Sequence, residues 1–113
     1  MELKLNVLAR LMLLNNLPEQ GSFDKIINKR NVRNKISFTS DEADKMQLET
    51  TDNGIKWSPI EDLVVEMTDT EMKFLNDVMN DISEKNLMNE GFIDTAIIIK
   101  EYVESIPSKE NND

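Results

Sequence analysis

The sequence predicts an α+β domain in which a small, mostly antiparallel sheet packs against four to five helices. Apolar and polar residues alternate near the start of the chain and on both sides of an Asn53-Gly54 pair, which is typical of short strands. Two Thr-x-x-Glu sequences mark helix starts, and apolar residues recur at helical spacing in the last third. The predicted order is a strand, two or three helices, a hairpin with a further strand, and two helices.

The first element is a short strand followed by a helix. Leu3, Leu5 and Val7 alternate with polar residues and predict the strand. Asn6 can also cap a helix that begins at Val7, since its side chain can accept from a free N–H of the first turn. Pro18 ends that helix because the residue before a proline disfavours helical geometry.

A second helix follows, with Ser22 as its N-cap. Its first apolar face consists of Phe23, Ile26 and Ile27. Val32 and Ile36 fall on roughly the opposite side of an ideal helix. The pattern therefore leaves two alternatives: one helix covered on two sides, or a break near Asn31.

The two Thr-x-x-Glu capping boxes begin the next helices. Thr39 to Glu42 begins a short helix through about Met46, and Thr68 to Glu71 begins a longer one. The longer helix carries its apolar residues at helical spacing: Met72, Leu75, Val78, Met79 and Ile82.

Residues 47–57 predict a hairpin around Asp52-Asn53-Gly54, because Asn and Gly accept positive φ at low cost. Residues 63–67 predict a further strand of the same sheet. Asn89 caps the last helix, whose apolar rows 92/96/99/103 and 93/97 predict a broad buried stripe. We expect residues 1–106 to form one compact domain and residues 107–113 to form a flexible polar tail.

Composition excludes much chemistry. The 113 residues contain no His and no Cys, which removes imidazole bases, thiol nucleophiles, Cys/His zinc sites and disulfides. We therefore expect no enzymatic activity and no cofactor. The longest apolar runs are four residues, at 11–14 and 96–99, far below the roughly 20 that a membrane span needs. With no signal-peptide pattern at the N-terminus, the expected location is the cytoplasm, without membrane contact.

Charge is distributed unevenly along the chain. Residues 1–56 carry 9 basic and 8 acidic side chains, whereas residues 57–113 carry 4 basic and 14 acidic ones. Asp77, Asp81 and Glu84 share one helical face and are candidate partner-binding residues, together with Trp57, the single tryptophan. The main alternatives are a solvated acidic surface and, for Trp57, a place in the core. The spaced carboxylates could also act as a general acid and base, hold a hard metal ion, or mimic the phosphate backbone of DNA, but no Asp-x-Asp-x-Asp-Gly loop accompanies them.

The clearest local cluster is basic and spans eleven positions. It consists of Lys25, Lys29, Arg30, Arg33 and Lys35. These side chains are candidates for contacts with nucleic-acid phosphates. The other interpretations are a solvated face that pairs with the acidic half of the chain, and a second protein-binding surface.

The stretch Leu3–Leu11, continued by Leu14–Pro18 and Gly21–Phe23, resembles small uncharacterised proteins of tailed bacteriophages and prophages. The Ile55–Trp57 arm, the acidic strand and the two closing helices fit the same layout, so that the resemblance covers about residues 2–105. It implies a compact phage product that binds and modulates or inhibits a host or phage protein in the host cytoplasm.

A protein-interaction module is thus our leading functional expectation, and nucleic-acid contact through residues 25–35 is the alternative. A homodimer is also compatible with the sequence, because a small sheet leaves strand edges open.

Overall fold

The computed structural model describes residues 1–107 and has five helices and two small antiparallel sheets, which confirms the α+β class. The predicted tail lies, from residue 108 onward, outside the described residues. In chain order the elements are β1 (Glu2–Leu5), α1 (Val7–Asn15), α2 (Phe23–Ile36), α3 (Ser40–Met46), β2 (Glu49–Thr51), β3 (Gly54–Lys56), β4 (Leu63–Glu66), α4 (Asp69–Glu84) and α5 (Glu90–Ser105).

Each helix begins at the N-cap that the sequence predicts. The five cap side chains, which each accept from the backbone N–H three residues on, are Asn6, Ser22, Thr39, Thr68 and Asn89. Both capping boxes are complete, because each glutamate also accepts from the backbone of its cap residue. A cap of this kind stabilises a helix by about 1 kcal/mol, so these helix starts are determined locally.

α2 runs unbroken through Asn31, so the alternative of a break there is wrong. Val32 and Ile36 are completely buried, whereas Phe23 at the start of the helix is 80% exposed. The helix packs against α4 and β4. Because Val32 and Ile36 are the residues that enter the shared core, Phe23 is left in solvent.

The strands form two separate pairs instead of one sheet. β1 pairs with β4, with Leu3 opposite Val65 and Leu5 opposite Leu63. Among residues 1–107, β2 and β3 pair only with each other, through a turn in which Gly54 has φ +121°. The connection between β3 and β4 contains Pro59, which has no N–H for a ladder, and this segment separates the hairpin from β4.

The core fills the space between the β1–β4 sheet and four of the helices. Its fully buried members include Leu3, Leu5, Ala9, Leu13, Val32, Ile36, Met67, Met72, Leu75, Ile82, Phe92 and Ile99. Residues 1–38 and 63–107, which hold this core, are called the body, and residues 39–62 are called the arm. Of the arm residues, Met46 alone is fully buried, and it lies outside the main core cluster.

No helix within residues 1–107 combines the length and the apolar character that crossing a bilayer requires.

Candidate interaction surfaces

The predicted acidic face of α4 is divided between two environments. Asp77 and Asp81 line a cleft of ≈ 150 Å³ together with Lys25 of α2. Asp81 also lies 3.0 Å from the Lys85 ammonium, one helical turn further on. Glu84 is exposed outside the cleft. Asp81 is therefore paired with Lys85 and Asp77 shares the cleft with Lys25, whereas Glu84 lies outside it; Asp77 and Glu84 are both exposed.

The basic cluster on α2 is also divided. The Lys35 ammonium donates to the Glu66 carbonyl at 2.9 Å and to the buried Glu71 carboxylate at 2.6 Å. Lys35 therefore joins α2 to β4 and α4. The other members are Lys25 in the cleft, the partly buried Lys29, and the exposed Arg30 and Arg33.

Trp57 lies where the arm meets the body. Its ring is partly buried and lines a shallow groove of ≈ 220 Å³ with Val7 and Leu8 of α1 and with Pro59 and Ile60. Its neighbours are thus mainly apolar residues of its own chain. Trp57 is neither in the hydrophobic core nor among the residues packed against it, and part of its side chain is accessible to solvent.

The most connected polar residue was not singled out by the sequence pattern. Arg10 is 1% exposed and donates from Nε to the Ile36 carbonyl and from a terminal nitrogen to the Ser37 carbonyl, both at 2.9 Å. Its two terminal nitrogens also bind the Glu42 carboxylate at 2.8 and 2.9 Å, and its guanidinium lies 4.0 Å from the centre of the Phe38 ring. Its position as the lone charge in the apolar α1 sequence was the available signal.

The glutamates of both capping boxes bind cations from other helices. The hydrogen bond from Arg10 holds the pKa of Glu42 at about 2, against the opposing effect of burial. Burial raises the pKa of Glu71, but the hydrogen bonds from Lys35 and from the cap backbone outweigh it and lower the pKa overall. Both carboxylates are therefore ionised at neutral pH, and each links its helix start to a distant part of the chain.

The outer face of α5 differs from the sequence expectation. Ile97 and Ile98 are 44% and 46% exposed, and Ile93 is only partly buried, so the 93/97 row is not part of a buried stripe. Asp94 and Glu101 are exposed on either side of the two isoleucines. α5 packs on α4 and α1. The side that makes these contacts carries Phe92, Thr95, Ala96 and Ile99.

The described residues, 1–107, contain no group of three or more acidic side chains placed to hold a metal ion. Comparison of the chain with protein-family models, with curated proteins and with solved structures found no match.

Proposed function

We propose that this protein is a non-enzymatic protein-binding module that uses the outer face of α5 to bind a partner with basic and apolar side chains. The observation that carries the proposal is the exposure of Ile97 and Ile98 in the middle of an acidic helix. Adjacent exposed apolar side chains with a polar rim are typical of interaction surfaces. Asp94 and Glu101 form that rim on either side.

The charge of this face determines the kind of partner. The exposed charged residues of α5 are Glu90, Asp94, Lys100, Glu101 and Glu104. With four acids and one base, this face attracts basic segments and repels acidic ones. An amphipathic basic helix, or a peptide with basic and apolar side chains, can pair with the acidic residues and pack against the two isoleucines.

The α4 acids are less suited to this role than α5. Asp77 and Asp81 share their surroundings with Lys25 and Lys85, which reduces the local negative potential. A partner in the host cytoplasm, either a host protein or a second phage protein, stays a prediction from the sequence resemblance.

The test is affinity capture from a bacterial lysate, with the bound partner then purified for titration. The bait variant carries Ile97→Ser and Ile98→Ser, and the matched control carries Val64→Ser and Leu87→Ser, which change exposed apolar residues elsewhere. We expect the wild type and the control to bind the same partner. The α5 variant should bind it about 30-fold more weakly, because it loses about 2 kcal/mol of apolar burial.

Salt provides the second readout. Binding to the acidic face should weaken as sodium chloride is raised, since screening reduces the attraction between opposite charges. Capture that is equal for the wild type and the α5 variant, or that does not respond to salt, would contradict the proposal.

Nucleic-acid contact through α2 is the second candidate, and the exposure of Phe23 favours it. Phe23, Arg30 and Asn34 lie at spacings of seven and four residues on the exposed side of the helix. An aromatic ring beside arginines can stack on an unpaired base. Binding of labelled single strands and duplexes should be salt-sensitive and should be lost in Arg30→Glu plus Arg33→Glu. No salt-sensitive shift at micromolar protein would exclude this candidate.

A further inference from the structure

We infer that the β2–β3 hairpin is a self-association surface and that its occupant is the hairpin of a second copy of this chain. This surface is distinct from the α5 face. The two strands have three residues each, and five of these six residues are exposed. The flanking Leu48 is 51% exposed and Ile55 is 48% exposed.

The strand register gives the hairpin two chemically different faces. Thr50 lies opposite Ile55, and Leu48 shares their face because alternate strand residues point the same way. Glu49 lies opposite Lys56 on the other face, where the two charges are complementary. The hairpin is therefore amphipathic. Leu48, Thr50 and Ile55 of its apolar face are exposed, whereas Trp57, the next residue on that face, is partly buried in the groove beside α1.

Such a hairpin is short of stabilising contacts. A two-stranded hairpin is only marginally stable in water unless a third strand or a packed helix supports it. Two features of the arm lie near the base of the hairpin. The Ser58 N–H donates to the Met46 carbonyl at 2.6 Å, and the Met46 side chain is buried. Within the part of the chain that the structure describes, the two outer edges of this two-stranded sheet have no ladder partners. A second hairpin covers the apolar face and can extend the ladder.

The charge of the hairpin favours another copy of the chain as the occupant. The whole chain has a net charge of −9, and residues 57–113 hold 14 acidic against 4 basic side chains. Residues 47–57 hold only Glu49, Asp52 and Lys56, so this segment is close to neutral. It is therefore a region where two such acidic molecules can meet with little local repulsion. A two-fold contact through one surface is self-complementary, which matches a nearly neutral, half-apolar face.

The size of the surface sets the expected affinity. A hairpin of this length offers less than the roughly 800 Å² per partner of a standard interface, so the dimer should be weak. Salt should strengthen it, because screening reduces the repulsion between the two acidic bodies. This response is opposite in sign to that expected for a basic partner on α5, so the two proposals fail independently.

Sedimentation equilibrium of the full chain tests the inference. The protein is measured from about 10 to about 500 µM at low and high sodium chloride, so that a weak dimer becomes populated within the range. We expect the average mass to rise above 13.0 kDa with concentration, and to rise further at high salt. Ile55→Asp should remove the rise, since it places an unpaired charge in the contact of each copy.

Ile97→Asp and Val64→Asp are the matched controls, because they change similarly exposed apolar residues on α5 and β4. Both should associate as the wild type does. Circular dichroism checks that the body of each variant is folded. A wild type that stays monomeric throughout, an Ile55→Asp variant that still dimerises, or a dimer that Ile97→Asp abolishes would overturn the inference.

Discussion

The β1–β4 sheet of the body and the β2–β3 sheet of the arm have the same antiparallel pairing and similar strand lengths but different surroundings. In β1, Leu3 and Leu5 are 1% and 0% exposed, because helices cover that face of the sheet. In β3, Ile55 is 48% exposed. Strand pattern alone therefore does not decide how stable a sheet is, since the packing that supports it comes from other elements.

The arm depends on a few specific interactions instead of a shared core. The Arg10–Glu42 pair joins the start of α3 to α1, the buried Met46 anchors the end of α3, and Gly54 completes the hairpin turn. Segments with few buried contacts open locally at a lower free energy than the whole domain. We expect the arm to open before the body, and the following predictions test this difference.

The largest effect should come from the body sheet. Leu5→Ala removes a completely buried side chain and should lower the free energy of unfolding by about 3–4 kcal/mol, through lost burial and the cavity left behind. Ile55→Ala, at the half-exposed position in the arm, should cost less than about 1 kcal/mol. Urea unfolding followed by circular dichroism measures both. Equal losses would show that the hairpin is as well supported as the body sheet.

Acid should loosen the attachment of the arm. The pKa of Glu42 is about 2 in the folded protein against an ordinary 4.5, so its stabilisation is complete above pH 4.5 and is lost as the pH falls toward 2. At about pH 3 this amounts to a loss of about 2 kcal/mol. The lowered pKa of Glu71 acts in the same direction within the body.

Urea unfolding at pH 7 and pH 3 measures this loss, with fluorescence of the single Trp57 reporting on the arm. Glu42→Gln is the control. It should be less stable than the wild type at pH 7 and should lose about 2 kcal/mol less on acidification. An identical loss in the wild type and the variant would remove the Arg10–Glu42 pair as the cause.

The most local effect should be confined to the hairpin. A Cβ at Gly54 meets no atom within 4 Å, but φ +121° is strained for any side chain, so Gly54→Ala should cost about 1 kcal/mol locally. Amides of β2 and β3 should then exchange about fivefold faster, while amides of β1 and β4 keep their rates. Faster exchange in both sheets would mean that arm and body open together.

Local chemistry made the helix starts predictable. An N-cap or a capping box involves residues three apart, and these interactions form as the sequence predicts. The hairpin also forms around Asp52-Asn53-Gly54, but of the Asn-Gly pair Gly54 has a positive φ and Asn53 does not. The continuity of α2 and the exposure of the outer face of α5 depend on which elements pack against these helices. The periodicity of apolar residues in the sequence does not contain that information. The Arg10 cluster was missed for the same reason, because its partners Ile36, Ser37 and Glu42 lie 26 to 32 positions away.

The Arg10 cluster restricts how this chain can be changed. The Arg10 guanidinium donates four hydrogen bonds, two to backbone carbonyls at the end of α2 and two to the Glu42 carboxylate near the start of α3. A lysine cannot reproduce this planar arrangement of donors. Excising residues 39–62 would remove Glu42 and leave a positive charge without its counterion inside the protein. The insertion or loss of this segment during evolution, or in a designed miniature, therefore requires a compensating substitution at position 10.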